Sequence, residues 1–181
     1  TPGDPTRLYG TQVRYASNDG HFFIAEAGFD SGANKYSLGG WAYHSPAVTG
    51  NAGVYLLAQH SFNKVINAFA RYGTAANVPN RFDQNISAGL TFSGLLADRS
   101  EDILGVAITS VRVGDHHMAT QQAAGTPTDK EETTAEVTYT IQLAEDISVQ
   151  PDLQYVMNPN VDPARENALV GAVRFRIGLE N

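Results

Sequence analysis

Apolar and polar residues alternate along 147–157. One register reads Ile147, Val149, Pro151, Leu153, Tyr155 and Met157, and the other Ser148, Gln150, Asp152, Gln154 and Val156. Successive side chains of a strand point to opposite faces, so this is a ribbon with one oily and one wet side. Its length is that of a tilted strand crossing a bilayer. Both flanking segments repeat the pattern. Val137 and Tyr139 oppose Glu136 and Thr138, while Val173 and Phe175 oppose Arg174 and Arg176. Upstream, Ala25 and Ala27 oppose Glu26, Ala70 opposes Arg71, and Ala88 and Leu90 oppose Ser87 and Gly89. Two stretches, 52–60 and 102–113, are apolar on both registers.

About ten segments carry strand signals: 6–17, 20–30, 35–45, 52–60, 64–73, 82–95, 102–113, 132–144, 147–157 and 168–179. Asn18-Asp19-Gly20 between the first two is a hairpin signal, because Asn and Gly tolerate positive φ. Ser31–Asn34 and Ala144–Asp146 are short turns, and longer polar loops are predicted at 45–51, 74–81, 114–130 and 159–167. Long and short connections roughly alternate, as in a barrel whose two ends face different compartments. With the last strand ending at the periplasm, 114–130 and 159–167 fall outside the cell. No segment has an apolar 3.6-residue period, so the fold class is all-β without helix, an antiparallel transmembrane β-barrel forming a single domain over 1–181. A soluble β-sandwich also alternates. Two features favour the membrane: oily faces rich in Ala and Gly, and tyrosines near segment ends (Tyr9, Tyr15, Tyr36, Tyr155) where an interfacial girdle would sit.

Composition narrows the partners. The hydrophobic fraction is 42% and the mean hydropathy −0.25, and no apolar run approaches the roughly 18 residues of a spanning helix. Net charge is −7 with no basic cluster, which argues against nucleic acid as a partner. Zero cysteines exclude disulfides, Cys-ligated zinc and thiol nucleophiles. The opening Thr-Pro-Gly-Asp-Pro has no leader character, so a leader has been removed or the chain is a piece of something longer.

Gln150-Pro-Asp-Leu-Gln-Tyr-Val-Met-Asn-Pro159, after Glu136-Val-Thr-Tyr139 and before Arg174-Phe-Arg176, resembles the C-terminal signature of the carbohydrate-selective porins of the OprB family. Gly39-Gly-Trp-Ala-Tyr-His44, Gly53-Val-Tyr55, Phe69-Ala-Arg-Tyr-Gly73 and Gly89-Leu-Thr-Phe-Ser-Gly-Leu-Leu96, followed by Arg99 and Asp102, match that family in order and spacing. The resemblance implies a bacterial outer-membrane barrel of about 16 strands that passes sugars by diffusion. This chain resembles the C-terminal half or more of such a porin and ends Leu179-Glu-Asn181 without a terminal aromatic. The expectation is that the strands it lacks come from another chain or have been cut away, so that the segment around Arg7–Tyr15 pairs outside 1–181.

The wet faces supply the candidate solute path: Glu26, Arg71, Glu136, Asp152, Gln154, Arg174 and Arg176. Mixed carboxylates, amides and guanidiniums hydrogen-bond sugar hydroxyls, whereas rings of one charge would select ions. These groups could equally pair with one another and simply solvate the wall. Trp41, the single tryptophan, stacks on a sugar or anchors the membrane interface. Asp115-His-His117 on a polar loop is a weak metal signal. Neither Gly-x-Ser-x-Gly nor His-Glu-x-x-His occurs, so no enzyme is expected, and no cofactor. The predicted partners are carbohydrate solutes, the outer-membrane bilayer, and a homo-oligomer or complementary porin chain. The alternatives are a non-conducting structural porin subunit and a soluble β-sandwich carbohydrate binder.

Overall fold

The computed structural model describes residues 20–45, 48–76, 78 and 80–178. Its strands are β1 (His21–Asp30), β2 (Lys35–Ser45), β3 (Val48–Ser61), β4 (Ile66–Ala75), β5 (Phe82–Ser93), β6 (Ile103–Val113), β7 (Glu131–Ala144), β8 (Ile147–Met157) and β9 (Ala168–Ile177). They form a single 9-stranded sheet in chain order, each strand antiparallel to the next. The nine match the predicted segments from 20–30 onward. The first predicted strand, 6–17, lies outside the described residues, as do Tyr9, Tyr15 and the edge near Arg7–Tyr15.

The register fixes two faces, because residues directly opposite share a side. Leu153 opposes Val137 and Gly171, Pro151 opposes Val173, and Val149 opposes Phe175. Followed back through Val106, Leu90 and Ala68, this face is mostly apolar, with His60, Gln84, Arg112, Ser110 and Thr133 among its polar members. It also resolves the two segments that were apolar on both registers. Val54, Leu56 and Ala58 of β3 fall on the oily face with Val106 and Ile108 of β6, leaving Tyr55, Leu57 and Thr109 on the other.

Among the described residues nothing packs against the oily side. Leu153 is 52% exposed and Phe175 71%, so the soluble sandwich, which would bury one face against a second layer, is ruled out. Most aromatic residues on this face lie towards strand ends (Phe23, Phe29, Tyr36, Phe92, Tyr155, Phe175), with Tyr72 and Tyr139 further in, while the middles otherwise carry Ala25, Leu38, Leu56, Ile86, Val137 and Leu153. An apolar band edged by aromatics is what a bilayer selects.

The two ends of the sheet differ. At one end β1–β2, β3–β4 and β7–β8 join by short turns and β5–β6 by the longer 94–102 segment. At the other, the connections after β4, β6 and β8 pack together. The Gly114 amide donates to the Arg81 carbonyl (2.9 Å), the Asp129 amide to Val161 (2.9 Å), and the Arg81 guanidinium to the Asn160 carbonyl (2.7 Å). The buried apolar side chains among the described residues, Val113 and Val161, lie in this rim.

Two expectations fail here. The 45–51 connection is short, because β3 already begins at Val48 and Ser45 pairs with it past a bulge. The 114–130 loop contains a helix, α1 (Asp115–Ala123). It buries no residue, so the apolar stripe by which a helix is recognised is missing. Local signals hold it instead: Asp115 in the first turn, Thr120 Oγ1 donating to the His116 carbonyl (2.9 Å), and Gly125 at φ 74 ending it.

Glycines separate the faces energetically. A Cβ on Gly89 would stand 2.4 Å from the Phe69 ring and 2.8 Å from the Val106 carbonyl oxygen. On Gly171, which faces the oily side, it would meet nothing within 4 Å. Gly89→Ala is therefore expected to cost about 1–3 kcal/mol by overpacking. Gly171→Ala should be neutral or gain up to about 1 kcal/mol from reduced unfolded-chain freedom. Urea titration of the refolded protein in lipid reads both.

Candidate functional site

All eight sequence-predicted site residues stand on the wet face. Glu26 opposes Gly39, and the row continues through Tyr55, Gly73, Asn85, Val111 and Glu132. Arg71 opposes Leu57 and Ser87 on the same side, and Trp41 opposes Ile24 and Gly53. Glu136 opposes Gln154, Asp152 lies between Thr138 and Ala172, Arg174 opposes Gln150, and Arg176 opposes Ser148. Alternation along each strand puts the members of these rows on one side.

They form separate groups. On β7–β9, Gln154 Nε2 donates to Asp152 Oδ2 (3.4 Å), and Arg174 Nη1 donates to Gln150 Oε1 (3.0 Å). The Glu136 carboxylate lies within electrostatic reach of both Asp152 and Arg174. Two carboxylates, two amides and a guanidinium thus share one patch, with Arg176 one step towards the short-turn end. Glu26 belongs to β1, six to eight strand spacings away, or roughly 29–38 Å along the open sheet. It accepts a hydrogen bond from Tyr55 Oη at 2.8 Å. Arg71 on β4 lies over the Phe69 ring, 5.5 Å from its centroid.

Aromatic rings on this face lie flat over glycines of neighbouring strands. The Tyr55 ring covers Gly39, where a Cβ would stand 2.1 Å from Cζ, and Trp41 covers Gly53, where a Cβ would stand 2.6 Å from Nε1. Phe22 stacks beside Trp41 with centroids 6.1 Å apart and planes 27° apart. A ring held flat against the sheet turns its π-face away from the backbone. An interface-anchoring tryptophan would stand on the oily face, and Trp41 does not.

Gly39→Ala would displace Tyr55. The clashing atoms are the free end of that side chain, so the tyrosine should swing away with little loss of stability and release Glu26. Thermal unfolding should stay near wild type, while the Tyr55 ring resonances should shift in NMR spectra.

Several wet-face groups escaped sequence reasoning. Tyr55 sits in a segment apolar on both registers, so its face was invisible, and Asp83 sits at a bulge between Phe82 and Gln84 that breaks the alternation. Asp102 is a different kind of residue. It is 3% exposed, lies in the turn before β6, and accepts from Arg99 Nε (2.7 Å), Tyr139 Oη (2.8 Å) and the Gln142 amide (2.9 Å). Its spacing from Arg99 was legible, but its long-range partners were not. Asp115, His116 and His117 open helix α1, and no group of three potential ligands that could hold a metal occurs among the described residues.

A family model described as carbohydrate-selective porin, OprB family, matches residues 11–179. No curated protein matches the chain. Among solved structures, the high-pH structure of Pseudomonas putida OprB is similar, with a TM-score of 0.77 and 18% identity. The match covers 98% of this chain and 52% of that one, so the chain spans about half the length of the solved protein.

Proposed function

The chain belongs to the OprB family of carbohydrate-selective porins, and from that premise we propose that its wet face lines a channel for passive diffusion of monosaccharides or small oligosaccharides across the bacterial outer membrane. The observation that carries this is the placement of Glu26, Arg71, Glu136, Asp152, Gln154, Arg174 and Arg176 on the one face that is not apolar. Carboxylates and guanidiniums in one patch offer acceptors and donors to vicinal hydroxyls, and their charges offset one another. A neutral polyol is then not disfavoured against an ion. No catalysis or cofactor enters this reading.

Among the described residues the sheet runs from β1 to β9 without pairing its two edges. Open edges are costly in lipid, at several kcal/mol for each unpaired backbone group. A barrel of about eight strands has an interior just filled by side chains. Both arguments favour completion of this wall by strands outside the described residues, from the same polypeptide or a complementary chain. A non-conducting structural subunit is the second reading, supported by wall groups that bond to one another, Gln154 to Asp152 and Arg174 to Gln150.

Liposome swelling separates the two. Proteoliposomes of the complete porin should swell in glucose faster than in an equal-sized charged solute. Glu136→Gln, Asp152→Asn and Arg174→Gln should alter the glucose rate while changing stability by no more than about 1 kcal/mol each, since each removes a charge from a wall that water reaches. Glucose swelling no faster than that of protein-free liposomes would leave the structural reading.

A further inference from the structure

We infer that the wet face carries a discrete hexopyranose subsite near the packed-loop end, built by Trp41 and Tyr55 on one side and Asp83 and Asn85 on the other; it rests on the sugar-channel reading above. These residues line one concavity of about 190 Å³. That is the scale of a single sugar ring. It lies at the start of β5 and towards the end of β2, so a solute arriving from the packed-loop end would meet it before the Glu136–Asp152–Arg174 patch.

The chemistry is complementary on both sides of the cavity. A pyranose has one face of C–H bonds and a rim of hydroxyls. The π-face of an aromatic ring carries partial negative charge and attracts those C–H bonds. Trp41 presents such a face because Gly53 has no side chain to lift it, and Gly39 does the same for Tyr55. The hydroxyl rim needs acceptors fixed in direction. Asn85 donates its amide N–H to the Ser110 carbonyl (3.3 Å), which holds the group with its oxygen available. Asp83 Oδ1 is buried and accepts no hydrogen bond among the described residues. A buried carboxylate oxygen without a donor is unfavourable, and a sugar hydroxyl supplies one. A purely structural account explains the rings, which cover glycines, but not the carboxylate oxygen beside them that has no donor among the described residues.

The test is glucose block of ion current through single channels of the complete porin in planar bilayers. Wild type should show saturable block. Trp41→Ala and Asp83→Asn should each raise the half-blocking glucose concentration by about three- to tenfold, the equivalent of one stacking or hydrogen-bond contact. Trp41→Phe, which keeps a ring over Gly53, should recover most of the affinity. If Trp41→Ala does not fold, Asp83→Asn decides alone, since it leaves the rings in place. An unchanged half-block in the folded variants, with glucose still permeating, overturns the subsite and leaves the channel reading intact. Absence of any glucose flux through wild type overturns the channel reading, and the subsite with it.

Discussion

Replacing Leu153 with arginine is expected to destabilise the folded protein in lipid by roughly 2–4 kcal/mol, the cost of an arginine on the lipid face near the bilayer midplane. Leu153 is central in β8, opposes Val137 and Gly171, and is 52% exposed on the face where no second layer packs. The adjacent Gln154→Arg places the same charge one residue along, on the wet face beside Glu136. It should shift stability by less than about 1 kcal/mol, because a solvated charge beside a carboxylate has water on one side and a partner on the other. Urea titration in vesicles of defined thickness measures both. Equal losses for the two would overturn the assignment of faces, and with it the membrane reading.

Removing the Asp102 carboxylate should have the second large effect. The Arg99 guanidinium, with help from the Gln142 amide and the Tyr139 hydroxyl, holds the Asp102 carboxyl at about 2, well below its ordinary 3.8. The folded state therefore binds this proton more weakly than the unfolded chain does. The resulting stabilisation is fully present above about pH 4 and is lost as pH falls through about 2. Asp102→Asn should be less stable than wild type at neutral pH and should lack that contribution to acid sensitivity between pH 4 and 2. Asp102→Ala should be worse, since it strands Arg99 and the Tyr139 hydroxyl at the oily edge. The pH dependence of the urea midpoint distinguishes this from general acid unfolding: the gap between wild type and Asp102→Asn must close in that window and nowhere else.

Alternation made most of the fold legible. Each strand from β1 to β9 has a counterpart in the period-two reading, and three consecutive antiparallel strands with Val137, Tyr139, Leu153, Tyr155, Val173 and Phe175 on one side are as expected. The candidate path was legible for the same reason, since a charge between two apolar neighbours in a strand must point to the other face. Where alternation lapsed, so did the reading. Val54 to Ala58 is apolar on both registers, and only its pairing with β2 and β4 shows that Tyr55 faces the wet side and reaches Glu26. Helix α1 was missed because it buries nothing and so carries no stripe.

The amino-acid sequence by itself determined the strands, the polarity of the two faces, the absence of a spanning helix, and the motifs that place the chain in its family. These are local properties, set by side-chain period and by residues close along the chain. Tertiary structure alone decided what meets across strands: the rings of Trp41 and Tyr55 laid over Gly53 and Gly39, the Asp102 carboxylate joined to Tyr139 and Gln142, and Val113 and Val161 buried among three loops. Those contacts depend on register, and register is a relation between segments that no one segment contains.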